Sequence, residues 1–173
     1  PPEHGAPLRL VVPGWYGMAN VKWVERLAVR TTPYTGYFQR RRYMYEAAAG
    51  ATPVTRARVK SMITTPVEGA TLPNGAITVR GWAWSGDAPI ARVEVNVGGG
   101  DTWHEATLGA PEGPYAWTPF ACEVTSAHHG RVVLASRATD ARGATQPDVV
   151  AWNRLGYGNH AVRPVVVQVA SAD

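Results

Sequence analysis

The stretch IARVEVNV, residues 90–97, alternates apolar and polar side chains from Ala91 onward. Successive side chains of a strand point to opposite faces of a sheet, so this period of two predicts a strand with one buried face. Gly98-Gly99-Gly100-Asp101 follows directly and predicts a hairpin turn. We do not interpret these glycines as a phosphate-binding loop, because no helical pattern follows them.

Short stretches of similar character lie on both sides of residues 90–97, separated by turn signals such as Pro73-Asn74-Gly75. They cover residues 58–63, 76–84, 102–108, 115–124, 132–139 and 162–169. About seven short strands with turns between them are typical of an immunoglobulin-like antiparallel β-sandwich, so the fold class is mainly β. We expect Ala83, Val93, Val95 and either Val133 or Leu134 inside it.

The first third of the chain has a different character. Residues 8–12 predict a short strand that ends at Pro13-Gly14, and residues 20–29 fit either a helical stripe or a strand. Residues 31–53 show no clean period and are interpreted mostly as loop. About 50 residues with so little periodicity would be marginal as an independent domain. We therefore place a boundary between residues 55 and 56.

Charge is unevenly distributed along the 173 residues, although the net charge is only +4. Residues 1–60 hold ten Lys and Arg against three Asp and Glu, whereas residues 61–173 hold seven against ten. A basic first third indicates an anionic ligand, which could be nucleic acid, a small oxyanion or a phosphate-bearing cofactor. No apolar run approaches the length of a membrane span, and no leader pattern is present, so the compartment stays undetermined.

The single cysteine, Cys122, excludes an internal disulfide and a cysteine zinc site, and we expect it to be a small core residue. His128-His129 has no third ligand nearby in sequence, so we expect a solvated loop and no metal site on this chain. Five of the seven tryptophans lie in the second part of the chain, at positions 82, 84, 103, 117 and 152. They could form a carbohydrate platform, but we expect them to fill the core and an interface.

Three groups of motifs together resemble the sulfite oxidase family. The first is His4-Gly5-Ala6-Pro7-Leu8-Arg9 through Gly14, and the second is Gly17-Met18-Ala19-Asn20-Val21-Lys22-Trp23-Val24. The third is spread over the sandwich, in the segments 81–86, 92–95, 102–103, 137–140, 146–147, 152–153 and 156–157. The resemblance implies that residues 1–55 are the truncated α+β end of a molybdopterin-binding domain and that residues 56–173 are a dimerisation domain.

The resemblance also implies the binding residues. His4 and Arg9 match positions that contact the molybdenum-molybdopterin cofactor, and Asn20, Val21 and Lys22 match a second contact. A phosphate-bearing pterin needs cationic and amide donors at fixed places, which suits these residue types. We expect Arg9 to be embedded in an apolar strand, where its charge would need a partner. The alternative is that Arg9 pairs with a carboxylate of the chain and the nearby glycines only turn it.

Tyr43 matches the catalytic tyrosine of the family, beside the oxyanion substrate. A phenol can donate a hydrogen bond to a substrate oxygen without bringing a negative charge at neutral pH. Tyr45 is a rival for this role. Arg40-Arg41-Arg42 would suit attraction of an oxyanion, although three consecutive arginines are more often a solvated surface.

The activity that the resemblance implies is oxygen-atom transfer, with oxidation of sulfite to sulfate as the leading reaction. The expected partners are the upstream molybdenum domain, a second copy of the chain and a small oxyanion, with no nucleic acid. The cysteine that binds molybdenum in the family has no counterpart in this chain, so we expect the chain alone to be inactive. Alternatives are a sulfane-dehydrogenase-like or nitrate-reductase-like relative, or a stand-alone immunoglobulin-like binding module.

Overall fold

The computed structural model describes residues 1–47 and 50–171. Contacts divide the chain into two compact units. The first contains Pro1–Ala57 and Ala151–Asn159, and the second contains Arg58–Val150 and His160–Asp173. Residues 151–159, which the sequence analysis placed with the sandwich, therefore make their contacts in the first unit.

The first unit is built mostly from turns and one hairpin. Single 3-10 turns form at Pro2–His4 and Gly17–Ala19, and the helix α1 covers Tyr37–Arg41. Strands β1 (Met44–Ala47) and β2 (Gly50–Pro53) pair antiparallel, with Tyr45 opposite Thr52. The expectation of a strand at residues 8–12 is wrong, as is that of a mostly loop-like segment at 31–53. Residues 8–12 form isolated backbone hydrogen bonds and no strand ladder. Strands β1 and β2 pair locally, although apolar and polar residues do not alternate along them.

The second unit contains the seven strands expected from the sequence, one of them divided into two short strands, and a further two-residue strand at Thr71–Leu72 that was not predicted. They are β3 (Lys60–Thr65), β4 (Thr71–Leu72), β5 (Ala76–Trp84), β6 (Ile90–Val97), β7 (Trp103–Glu105), β8 (Thr107–Leu108), β9 (Thr118–Thr125), β10 (Gly130–Asp140) and β11 (Val165–Val169). A five-stranded sheet has the order β4-β11-β10-β6-β7, and a four-stranded sheet has the order β3-β5-β9-β8. Every pair is antiparallel except β11 with β4, which is parallel.

The core of the second unit lies between the two sheets. Ala83, Val93, Val95 and Leu134 are fully buried, which confirms the expected inward set and selects Leu134 over Val133. Cys122 belongs to the same core, as expected. The turn after β6 is confirmed as well, because Gly98 and Gly99 both have positive φ, at 80° and 78°.

The five tryptophans are not part of this core. Trp82, Trp117 and Trp152 are 40%, 52% and 79% exposed, and Trp84 and Trp103 are half-buried. The expectation that they fill the core is wrong, because the strand tryptophans occupy outward positions. In β5 the buried residues are those at 77, 79, 81 and 83, which leaves 82 and 84 on the other face.

Candidate cofactor-binding site

His4 and Arg9 meet at the start of the first unit. The 3-10 turn Pro2–His4 ends at Gly5, whose φ of 108° is in the region that favours glycine. The turn leaves the carbonyl of His4 directed at Arg9, and Arg9 Nη1 donates to it across 3.3 Å. Arg9 is exposed and not embedded in an apolar strand, so the expectation about its burial is wrong. Its remaining N–H groups can reach a ligand.

Lys22 reaches the same turn from a distant part of the sequence. Its Nζ donates to the carbonyl of Glu3 across 2.6 Å, and the indole nitrogen of the next residue, Trp23, donates to the carbonyl of Pro2 across 2.7 Å. A Cβ atom on Gly5 would lie 3.0 Å from the Cβ of Lys22. The backbone at Gly5 and the lysine therefore pack so closely that only glycine fits without a shift.

Asn20 and Val21 hold the segment that carries Lys22. The side-chain oxygen of Asn20 accepts from the backbone N–H of Val12 across 2.6 Å. The carbonyl of Val21 accepts from the N–H of Leu10 across 2.9 Å. The structure thus places Asn20 and Val21 directly against residues 10–12, and the side chain of Val21 is exposed.

The five candidate residues therefore form one local group, which we call the basic turn: His4, Arg9, Asn20, Val21 and Lys22. A guanidinium and an ammonium donate to the carbonyls of two neighbouring residues, His4 and Glu3. Each cation has further donors beyond the one bond described, and both side chains are exposed. This donor set, with a close glycine approach beside it, fits an anionic ligand that carries phosphate and ring acceptors.

Trp23 adds a further feature to the basic turn. Its φ of 51° is unusual for a residue other than glycine. Lys22 Nζ lies 5.7 Å from the centre of its ring, within the range of a cation–π contact. Trp23 has no role predicted from the sequence beyond its place in the motif. Its indole bond to Pro2 helps fix the position of the lysine.

Tyr43 lies in a separate aromatic group of the first unit, directly before β1. Its ring stacks on Phe38 with 5.8 Å between centroids and meets Tyr157 edge-on at 5.9 Å. Its backbone N–H donates to the carbonyl of Phe38 across 2.8 Å. Arg40 and Arg41, which lie in the last turn of α1, and Arg42 are all exposed. Tyr43 therefore has two aromatic neighbours and three cations close in sequence.

Residues 151–159 supply contacts that the sequence analysis missed. The side-chain nitrogen of Asn153 donates to the carbonyl of Met44 across 3.3 Å, and Arg154 pairs with Glu46 at 2.9 Å. Hydrogen bonding to Glu46 raises the pKa of Arg154. The only sequence signal was the motif Trp152-Asn153 with Gly156-Tyr157, which carried the family resemblance without suggesting a contact with β1.

Metal ligation by the chain's own side chains has no support in the described residues. Within 1–47 and 50–171, no group of three or more His, Cys, Asp or Glu side chains could hold a metal ion. The thiol of Cys122 lies in the core, 3.7 Å from the carbonyl of Glu105, and burial raises its pKa. No described helix is long and apolar enough to cross a membrane.

Comparisons with protein families match both units. Residues 52–170 match the family described as Mo-co oxidoreductase dimerisation domain. Residues 1–38 match the family described as oxidoreductase molybdopterin binding domain. The basic turn lies wholly within the second match.

Individual relatives agree with these matches. Mitochondrial sulfite oxidase of Mus musculus is 34% identical over 98% of this chain and 34% of its own length. NADH nitrate reductase of Solanum lycopersicum is 31% identical over 92% of this chain and 20% of its own. The sulfane dehydrogenase SoxCD of Paracoccus pantotrophus superposes with a TM-score of 0.83 at 31% identity, over 98% of this chain and 48% of that one. The chain spans about a third of the length of the sulfite oxidases that it matches.

Proposed function

Because the chain belongs to the sulfite oxidase family of molybdopterin oxidoreductases, we propose that it supplies part of the cofactor site and the dimer contact of an enzyme that oxidises sulfite to sulfate. The observation that carries this proposal is the basic turn. It joins residues separated by as many as 18 positions into one cationic group, inside the segment that matches the molybdopterin-binding family.

The basic turn would hold the polar end of the pterin. Arg9 and Lys22 would donate charge-assisted hydrogen bonds to its anionic oxygens, which are stronger than bonds between neutral groups. The backbone at Gly5 and at Asn20–Val21 would lie against the ring system, and His4 would add a donor at the edge. The cofactor, when bound, supplies the two-electron chemistry of oxygen-atom transfer.

Tyr43 would act on the substrate. Its hydroxyl would donate to an oxygen of the oxyanion, while stacking on Phe38 and the edge-on contact with Tyr157 hold the ring in place. Arg40, Arg41 or Arg42 would attract the oxyanion electrostatically. Residues 56–173 would act as the dimerisation domain of the enzyme.

A related substrate is the second candidate. The chain is 31% identical in sequence to a sulfane dehydrogenase and 31% identical to a nitrate reductase. Both values are close to the 34% identity to a sulfite oxidase. A stand-alone binding module is less well supported, because it leaves the basic turn and its match to a cofactor-binding family without a purpose. Steady-state assays of the complete enzyme with sulfite, nitrate and a sulfane substrate would separate these reactions.

The basic turn is tested by cofactor content. In the complete enzyme, we expect Arg9→Ala and Lys22→Ala each to lower molybdenum and pterin per protein, since each removes a cation from an anionic ligand. We expect affinity to fall roughly tenfold or more for a lost charge-assisted bond. Metal analysis of purified variants is the measurement.

The matched control is Arg142→Ala, which removes an exposed cation from the second unit, where the guanidinium of Arg142 lies 4.0 Å from the carboxylate of Asp87. We expect this variant to keep the full cofactor content. Full molybdenum occupancy in both Arg9→Ala and Lys22→Ala would contradict the assignment of the basic turn.

A further inference from the structure

A turn at residues 153–158 packs against the segment that carries Tyr43, and we call it the Asn153 turn. It lies within the match to the dimerisation family, residues 52–170, but it belongs to the first unit. The backbone N–H of Gly156 donates to the carbonyl of Asn153 across 2.7 Å and closes the turn. Gly156 and Gly158 have positive φ, at 75° and 73°, so the chain bends sharply on both sides of Tyr157.

The side chain of Asn153 holds both this turn and the backbone next to Tyr43. Its oxygen accepts from the N–H of Leu155 across 3.2 Å, and its nitrogen donates to the carbonyl of Met44 across 3.3 Å. Met44 directly follows Tyr43 in the chain. Asn153 is 7% exposed, so water would replace these bonds poorly if the amide were changed.

The same turn presents Tyr157 to the ring of Tyr43. The two rings meet edge-on, with 5.9 Å between centroids and 63° between their planes. Phe38 contacts the ring of Tyr43 differently, stacking on it at 5.8 Å with 23° between the planes. Two contacts at different angles restrict the rotation of a ring more than either contact alone. Tyr157 therefore contributes to the orientation of Tyr43.

The turn has one further contact with β1, and it is exposed to solvent. Arg154 pairs with Glu46 at 2.9 Å, but the two side chains are 62% and 44% exposed. Exposed ion pairs contribute little to the fixing of a structure, because water and salt screen them. The buried amide of Asn153 and the ring of Tyr157 are therefore the contacts by which the turn can act on Tyr43.

We propose that the Asn153 turn is a positioning element for Tyr43, in which Asn153 fixes the backbone that follows Tyr43 and Tyr157 orients its ring. The inference rests on the proposed function, in which the hydroxyl of Tyr43 donates to the oxyanion. A displacement of about 1 Å at a reacting centre can lower a rate roughly a hundredfold. The turn thus sets how well the hydroxyl meets the substrate, without touching the substrate itself.

Steady-state kinetics of the complete enzyme with sulfite test the inference. Asn153→Asp keeps the size of the side chain and the acceptor for Leu155, but it replaces the donor to Met44 with a second acceptor. Tyr157→Leu keeps an apolar side chain without the ring. We expect each variant to lower kcat/KM roughly tenfold, with molybdenum per protein unchanged. Tyr157→Phe keeps the ring contact, so we expect it to retain full kcat/KM.

A double-mutant cycle separates positioning from a general structural role. The Tyr43→Phe enzyme lacks the hydroxyl that the turn would position, so we expect Asn153→Asp and Tyr157→Leu to cause no further loss there. A structural defect would lower kcat/KM by the same factor in both backgrounds. The matched control is Asn74→Asp, the same change at an exposed asparagine of the second unit, which should leave kcat/KM unchanged.

Full kcat/KM in both Asn153→Asp and Tyr157→Leu overturns the inference, and so does an equal loss in the Tyr43→Phe background. A loss in Tyr157→Phe would assign a direct role to the hydroxyl of Tyr157 and overturns the positioning role as well. If Asn153→Asp fails to fold or to load molybdenum, the Tyr157 variants decide by the same criteria.

The outcomes also distinguish this inference from the proposed function. A loss in Tyr43→Phe, with full kcat/KM in the variants of the turn, overturns the inference and leaves the proposed role of Tyr43 standing. Full kcat/KM in Tyr43→Phe removes that role together with the inference. The cofactor content of the Arg9 and Lys22 variants tests the basic turn separately in either case.

Discussion

Tyr43 is held by two aromatic rings, so its hydroxyl can be removed with little effect on the position of the ring. In the complete enzyme, we expect Tyr43→Phe to keep its molybdenum and to lower kcat/KM for sulfite by roughly a hundredfold, since it removes one donor near the reacting oxygens. The contacts with Phe38 and Tyr157 need only the ring, and Phe retains it. Steady-state kinetics and metal analysis of the same preparation are the measurements.

The control is Tyr45→Phe, two residues further along the chain and within β1, for which we expect full activity. A kcat/KM for Tyr43→Phe equal to that of the unchanged enzyme would argue against its role. A loss in Tyr45→Phe alone would transfer the role to that residue.

Some residues in the candidate site could be named from the sequence, but their surroundings could not. The motif around Arg9 pointed to a cofactor contact, whereas its apolar neighbours suggested burial in a strand. The structure leaves Arg9 exposed, and the nearby apolar side chains of Leu8 and Val11 are exposed as well. Trp23 donates a hydrogen bond to Pro2, and Gly5 packs closely against Lys22. No local sequence pattern predicts either contact.

Gln146 joins elements from both sheets of the second unit. Its side-chain oxygen accepts from the N–H and hydroxyl of Ser61 on β3, both at 2.8 Å, and from the N–H of Ala138 on β10 at 3.3 Å. Its nitrogen donates to the carbonyl of Ala161 across 3.1 Å. Gln146 is 1% exposed, so water cannot replace these bonds.

Replacing Gln146 should therefore destabilise the second unit. We expect Gln146→Leu to lower the free energy of unfolding by about 2–4 kcal/mol, because it leaves buried donors without an acceptor while keeping a similar volume. Urea unfolding followed by fluorescence is the measurement. Gln168→Leu, at an exposed glutamine of β11, is the control and should change stability little. Equal effects of the two substitutions would contradict the role of the buried hydrogen bonds.

Elements with a strong local period could be predicted, and those without one could not. β5 and β6 appeared at the expected residues because burial on one face imposes the period of two directly on the sequence. β4 has two residues and exists through parallel pairing with β11, nearly 100 positions later. The hairpin β1–β2 was also missed, since none of its described side chains is fully buried and no alternation marks it.

At the scale of the whole molecule, the two units differ in how they are stabilised. The second unit has a contiguous core of sixteen buried residues. Among the described residues of the first unit, Val54 is the one apolar residue whose side chain is buried. Local opening costs more free energy where more apolar surface is buried. The units should therefore differ in local stability.

Hydrogen exchange of the 173-residue chain would measure this difference. We expect backbone amides in β5, β9 and β10 to exchange at least about a hundredfold more slowly than hydrogen-bonded amides of residues 1–57, because core strands open only with the whole unit. Mass spectrometry of peptic fragments gives both rates in one sample. The amide of Leu10, bonded to the carbonyl of Val21, is a suitable reference in the first unit. Equal protection in the two units would contradict the expectation.

The sequence by itself determined the β-sandwich, its inward residues Val93, Val95 and Ala83, and the family to which the chain belongs. These features depend on a repeat of two along one strand or on short motifs, and both are local. Only the tertiary structure decided that His4, Arg9 and Lys22 share one turn, that Gln146 bonds to both sheets, and that Trp117 stacks on Trp84. Each of these depends on contacts between residues far apart in the chain, which are set by how strands pair and loops close, and no local pattern encodes them.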